Sequence, residues 1–576
     1  MSALNRSMSQ LHLATSRFDF DLQPFLVYLK PLILSAGASV LAYNLYRLVK
    51  LVLRPVFSPL RRLQGPPSDS WFYGNFRQVF TSENSTLQEE WVAEYGHTLK
   101  YKGMFNLDRI VTTDLRAIQH ILSNSIYEKP PQARFFLSRV LGEGLLLVEG
   151  EEHKNQRRIM SPAFGLAHLR EITDIFMEKS IELRDIWMSQ IASETTEDQP
   201  IRLDVLSWLS RMTLDVIGLA GFNYKFNSLS AHLKPTELSK AFGTIFEKGQ
   251  QMSLLALLQA FIPPLRLIPT QRDWSMKKAR KTMDRIGREL LAEKKAAIAT
   301  SIAAERGENK VTEVGKNSVQ GKDLLSLLVR ANMATDLKDS QRLSDEDVLA
   351  QVPTFLTAGH ETTSTATTWS LYALALAPEV QSKLRQELLS VPTDTPTMDE
   401  LQALPYLDAV VRESLRVHAP VPSTTRVVMR DDVVPLSTPI VDKDGRSLSE
   451  IRLWKGDTVF IPIVAVNRSK LLWGEDAFEF KPERWENPPQ AINSIPGVWG
   501  NMLTFLGGHH ACIGFRFSVV ETKAILFTLL RAFEFELAVP KEDVIKKATI
   551  VQRPFIKSAT DKKSQLPMFV GAYKGS

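Results

Sequence analysis

One cysteine in 576 residues narrows this chain more than any other feature. It excludes an internal disulfide, so buried side chains alone must hold the fold, and it points to a reducing compartment. Any chemistry that needs a thiolate has one place to occur, Cys512. With 44% hydrophobic residues the chain can bury a large core. Its length would allow several domains, yet no internal repeat and no Pro/Gly/Ser-rich linker divides it. The one strongly polar stretch, residues 303–322 (AAERGENKVTEVGKNSVQGK), reads as a surface loop between helical patterns.

The charge balance is mildly basic, Lys+Arg 70 against Asp+Glu 64. No basic stripe is interleaved with aromatics, which argues against nucleic acid and fits an anionic membrane face or an acidic partner. Residues 25–46 (FLVYLKPLILSAGASVLAYNLY) have about the ~20 residues that a spanning helix needs. Lys30 and Pro31 interrupt them near one end, where the lysine can snorkel. Arg47, Lys50, Arg54, Arg61 and Arg62 follow, whereas Arg6 and Arg17 precede, so the downstream side is expected in the cytosol. A cleaved secretory signal is the competing reading, but the apolar run begins late and its basic residues lie on the wrong side. The expected organisation is a luminal segment (1–24), a transmembrane anchor (25–46), a basic, proline-rich hinge that ends the helix (47–67) and the main body (68–576). That makes a single-pass membrane protein with its body in the cytosol.

Between residues 162 and 391 the pattern is mostly helical. The clearest helix begins at Ser344, where SDED places Ser344 and Asp347 in capping-box positions, and it can run to about Pro378. Strand signals are few: LKYKGM, RIVTT and DTVFIPIVAV. The fold class is mainly α with a small β part.

Residues 505–514 read FLGGHHACIG. The glycines allow close approach of the backbone to a flat ligand, and the run FRFSVVETKAILFTLLRAF starts a helix just after Cys512. A helix N-terminus lowers a thiol pKa and favours the thiolate that binds iron. Taken alone, the loop also suits a buried structural cysteine. Here the chain resembles the cytochrome P-450 superfamily, whose haem loop is F-x-x-G-x-R-x-C-x-G. Phe505, Gly508, Cys512 and Gly514 match, whereas His510 replaces an arginine that pairs with a haem propionate in the family.

Further motifs follow in the family's order. Glu413 and Arg416 in ESLR, with Arg484 in FKPERW, correspond to a buried Glu-Arg-Arg network. In HKNQR, Arg157 matches the family's arginine and His153 replaces its tryptophan. The resemblance makes Arg157 and Arg426 propionate donors, with His153 open between donor and ordinary basic residue. AGHETT (358–363) matches the segment crossing the distal face of the haem. There Glu361 and Thr362 set an acid beside a hydroxyl for proton delivery, in a helix that can be locally widened, and Ala358 and Gly359 leave room for dioxygen.

The resemblance implies a cytochrome P-450 fold preceded by one transmembrane helix, with haem b on an axial Cys512. It implies two one-electron reductions by NADPH-cytochrome P-450 reductase, with cytochrome b5 as an optional second donor. Lys154, Arg157 and Arg158 are candidates for docking that reductase. The family's pocket-lining regions map to residues 134–146, part of 224–265, 355–363 and 420–425. They carry Phe135, Phe136, Leu145, Leu146, Phe355, Leu356 and Val421, which suit a large apolar guest. CIGFRFSVVETK and IVQRP resemble fungal microsomal members. The expected reaction is hydroxylation of a terpenoid-like secondary metabolite. Alternatives are detoxifying oxidation of aromatics, a reductase-independent haem-thiolate isomerase or dehydratase, and a non-catalytic haem sensor. Glu361–Thr362 argues against the last two.

Overall fold

The computed structural model describes residues 23–83, 85–194, 199–230, 234, 236–250, 254–307, 323–333, 342–548, 551–561 and 563–575. The helices that position the site are α1 (Gln23–Phe57), α2 (Pro131–Leu141), α3 (Gly150–Met160), α4 (Leu166–Glu194), α5 (Val205–Phe222), α6 (Gln271–Gly307), α7 (Asp345–Ala375), α8 (Pro405–Val417) and α9 (Phe515–Ala532). Local chemistry sets where α7 begins. Ser344 accepts from the Asp347 backbone and Asp347 returns a bond to Ser344, closing the capping box, with Asp345 and Glu346 in the first turn. From there α7 packs along α5, and α9 packs on both α4 and α7. Trp187 of α4 and Trp369 of α7 are fully buried in this core.

The β part is small. Strands β1 (Thr98–Lys102), β2 (Asp108–Thr112), β3 (Tyr127–Glu128), β4 (Thr424–Val428) and β5 (Thr458–Ile461) form one sheet in the order β1-β2-β5-β4-β3. β2 and β5 run parallel and the other neighbours antiparallel. A second sheet joins Ile201–Asp204, Pro567–Ala572 and Phe533–Leu537.

Three expectations change. The run DTVFIPIVAV is a strand only over Thr458–Ile461: Pro462 has no N–H for the ladder, and Ile463–Asn467 turns into a short helix. The polar stretch 303–322 is not loop from its start, since α6 continues to Gly307; residues 308–322 lie outside the described residues. The helix over residues 25–46 does not stop there, because α1 runs to Phe57 with Pro31 and Pro55 inside it. Residues 1–22 lie outside the described residues. Among the described residues, one helix is long and apolar enough to cross a bilayer on composition, α5, and it is mostly buried in the core. The end of α1 is tied to the body. Arg54 pairs with Asp457 at 2.8 Å and donates to the Lys455 carbonyl, and Arg62 pairs with Asp444 at 3.3 Å.

Candidate active site

The cysteine loop is held by backbone packing. Gly508 has φ +66°, and a Cβ there would lie 2.1 Å from the Leu122 carbonyl; at Gly507 it would lie 1.7 Å from the Pro496 carbonyl. Glycine is therefore required at both positions by the neighbouring chain. Gly514, with only ordinary contact to Phe164, carries no such requirement. The Cys512 N–H donates to the Phe505 carbonyl at 2.9 Å and closes the loop, while the Phe505 ring packs between Trp499 and Phe515.

Cys512 is solvent-accessible, yet burial is the largest influence on its thiol and pushes its pKa up. The N–H of Gly514 and the charge of Arg157 act the other way, as the helix N-terminus should, but burial outweighs them. A coordinating metal deprotonates such a thiol outright.

Beside the loop lies a cluster of charged and aromatic groups. Arg157 of α3 turns inward and donates to the Ala511 carbonyl at 2.6 Å. His510 Nε2 is 3.0 Å from Glu149, and its ring lies 4.2 Å from that of buried His153. Glu149 also accepts from the Lys129 backbone and side chain. Against burial, the bond from His510 and the charge of Lys129 hold Glu149 down at about 2. Burial, then the neighbouring His510 and Lys129, lower His153 to about 3. Arg426 is buried on β4 and donates to Thr424 and the Thr425 carbonyl. Glu149 and Lys129 escaped the motif reading because a lone acid and a lone lysine carry no spacing signal.

A second network braces this loop. Arg416 grips both carboxylate oxygens of Glu413 at 2.7 and 2.9 Å, and neither side chain is exposed. Arg484 reaches Glu413 at 3.4 Å and Asp476 at 2.5 Å, and Trp485 donates to Glu413 at 3.0 Å. Arg416 also donates to the Asn467 carbonyl. The Asn467 side chain accepts from the Leu503 N–H and donates to Thr504, which donates to the Leu415 carbonyl. The ion pairs thus connect by hydrogen bonds to the segment entering the cysteine loop. Removing one partner of such a buried pair costs about 3–5 kcal/mol, because the other charge is stranded.

On α7, Thr363 Oγ1 lies 3.2 Å from Ser518 Oγ, tying AGHETT to the first turn of α9, the helix that starts beyond Cys512. Thr362 donates to the Ala358 carbonyl at 2.6 Å, the ordinary arrangement of a helical threonine, and its oxygen can still accept. Glu361 is buried and ion-paired with Arg553 from the C-terminal strands. Two expectations fail here. The helix is regular α throughout this stretch rather than widened. Gly359 faces α5, where a Cβ would lie 2.9 Å from Ile217, so its small size serves helix packing and not dioxygen.

A family profile for cytochrome P450 matches residues 64–555. The chain is 56% identical to "Cytochrome P450 monooxygenase 205" of Postia placenta, over 94% of this chain and 98% of that protein. The chain belongs to the cytochrome P450 family. A second Postia placenta relative, "Cytochrome P450 monooxygenase 128", is 50% identical over 93% and 97% of the two chains. "Cytochrome P450 monooxygenase claP" of Ampulloclitocybe clavipes is 37% identical over 90% and 94%. This cytochrome P450 is an oxidoreductase, a monooxygenase of a family that holds haem iron through a cysteine thiolate.

The residues present fit that haem. Cys512 is solvent-accessible at the end of the loop that its N–H closes on Phe505. Nearby, the cations Lys129, Arg157 and Arg426 stand against the one carboxylate of Glu149, while Arg134 and Glu128 offset each other. The surplus of two positive charges is what two propionates would neutralise. Of the expected pocket-lining side chains, Leu356, Leu145 and Phe355 are buried in the core. Phe135 is taken up between Arg139 and Arg266, at 4.7 and 4.2 Å. Phe136, Leu146 and Val421 keep accessible apolar surface.

Proposed function

We propose that this cytochrome P450 hydroxylates a hydrophobic, terpenoid-like small molecule in secondary metabolism, on the cytosolic face of the endoplasmic reticulum. Electrons come from NADPH-cytochrome P450 reductase, with cytochrome b5 as an optional second donor. The observation that carries the hydroxylation reading is the acid–hydroxyl pair Glu361–Thr362 on the helix tethered through Thr363 to the start of α9. A rearranging enzyme would have no use for a proton-delivery pair.

Haem bound through Cys512 supplies the dioxygen chemistry. Arg157 and the Gly514 N–H stabilise the thiolate. Lys129, Arg157 and Arg426 hold the propionates, and His510 serves that cluster by orienting Glu149 rather than as a direct stand-in for arginine. Thr362, positioned by its bond to Ala358, accepts and passes on a proton, and Glu361 renews it. Phe136, Leu146 and Val421 give the substrate apolar contacts and exclude water.

Residues 25–46 act as the membrane anchor. Their support is a charge-free run after Pro31 within α1, on which Leu34 and Leu41 are 73% and 72% exposed with no protein cover. Of the five cations after it, Arg54 and Arg62 are engaged by the body, and Lys50 is exposed. Lys154 and Arg158, exposed on α3, receive the reductase, whereas Arg157 is turned inward and does not. Charge reversal at Lys154 or Arg158 should slow electron transfer and flatten its salt dependence; unchanged values would remove them from the interface.

The test is spectral and catalytic. Cys512→Ser should abolish the red-shifted Soret band of the reduced carbon-monoxide complex. Thr362→Ala should keep that band yet divert electrons to hydrogen peroxide, and full coupling in that variant would refute its role. NADPH-dependent oxygen uptake by microsomes given a panel of apolar metabolites reports the reaction and the substrate class.

A further inference from the structure

Glu361 is buried, yet two groups connect it with solvent. Arg553, which pairs with its carboxylate, lines a cavity of about 250 Å³ between α5 and the C-terminal strands. Asp561 and Lys563 line it too and are exposed, so the cavity opens outward. Ser210 of α5 lines the same cavity, and its hydroxyl is 2.7 Å from His360 Nε2. His360 is itself only 6% exposed in its side chain. Its other ring nitrogen, Nδ1, lies 3.3 Å from Glu361 Oε1 and makes no hydrogen bond. Thr213 bonds the His360 carbonyl at 3.1 Å and the Phe242 ring meets the imidazole edge-on, so the ring is held in place.

An unpaired ring nitrogen does not by itself mark this histidine, since His168 and His418 each have one too; its mark is that one nitrogen meets a cavity-lining hydroxyl and the other faces Glu361. The ring joins a solvent-facing hydroxyl on one side to an acid on the other, and leaves the acid-facing nitrogen poised but unpaired. We propose that Ser210 and His360 form a proton conduit from this cavity to Glu361. The proposal rests on Glu361–Thr362 being the proton-delivery pair, and extends it to where the protons enter.

In one passage, cavity water gives a proton to Ser210 Oγ while the Ser210 proton moves to His360 Nε2. The proton on Nδ1 then passes to Glu361. Solvent has lost one proton and Glu361 has gained one; serine and histidine remain neutral, and the ring is left as its Nε2–H tautomer. Burial, then the charge of Arg553, lowers His360 to about 3, so the ring is neutral at physiological pH and holds its proton on either nitrogen. Ser210, His360 and Arg553 are positioning residues, acting through Glu361.

Ser210→Ala removes the hydroxyl and Ser210→Thr restores one. In the alanine variant of the full-length holoenzyme, the carbon-monoxide band should be unchanged. Hydrogen peroxide formed per NADPH should rise by about ten-fold, short of the full ~10²-fold value of a proton-transfer group because water partly substitutes. The solvent deuterium isotope effect on product formation should grow, and threonine should reverse both changes. A readout without turnover is deuterium uptake at the ring carbon between the two nitrogens of His360, followed by mass spectrometry in the resting protein. It should exceed that of His418, a buried histidine that does not line the cavity, and fall to the His418 rate in Ser210→Val. Uncoupling in Thr362→Ala with none in Ser210→Ala would overturn the conduit and leave the proton pair standing. Uncoupling in neither would remove both. Equal exchange at His360 and His418 in the wild-type protein would also overturn the conduit.

Discussion

At the scale of the residue, the haem loop separates glycines by what lies behind them. Gly508 has a left-handed φ and the Leu122 carbonyl 2.1 Å from any added Cβ, whereas Gly514 has neither constraint. Gly508→Ala should therefore lower stability by more than about 1 kcal/mol and lose haem on purification, read by the ratio of Soret to protein absorbance. Gly514→Ala meets no neighbouring backbone and should cost less stability than Gly508→Ala. The motif made both positions legible and could not tell them apart, because the decisive contact comes from a segment far away in sequence. The charged cluster was legible by half for a similar reason. Arg157, Arg426 and His510 stand in ordered motifs, but that His510 meets Glu149 depends on a fold that brings residues 129, 149 and 510 together.

At the scale of the element, signals within a few residues were readable and signals between elements were not. Ser344 and Asp347 are three apart, and the capping box they announce is formed. The strand expected over residues 457–466 fails at Pro462, where local chemistry overrides an apolar run. The contact between α5 and α7 left no trace in either pattern. At Gly359 a Cβ would press on Ile217 at 2.9 Å, so Gly359→Ala should destabilise by about 1–3 kcal/mol through overpacking. Ile217→Val alongside it should recover part of the loss, a coupling visible in a double-mutant cycle of thermal midpoints.

At the scale of the whole molecule, buried neutral histidines set the response to acid. Burial is the first cause at His153, His360 and His418; the first two are lowered to about 3 and the third well below its ordinary 6.5. An unfolded chain takes up those protons near 6.5, whereas the folded one does so only far lower. Between those limits the unfolded state binds more protons, so stability should decline as pH falls below about 6.5. Thermal midpoints taken from pH 7.5 to 5 should fall steadily, and His153→Phe should flatten the slope.

The hydrogen bonds from Arg416 through Asn467 to Leu503 and Thr504 carry a consequence for biogenesis. Residues 413, 416, 467, 484 and 504 must all meet before the cysteine loop has its shape, and all lie in the last third of the chain. A nascent polypeptide lacking that region has no mould for the porphyrin, whatever its helices have done. Cofactor capture thus becomes the cell's late inspection point for this protein, and a coloured molecule is one that has finished assembling.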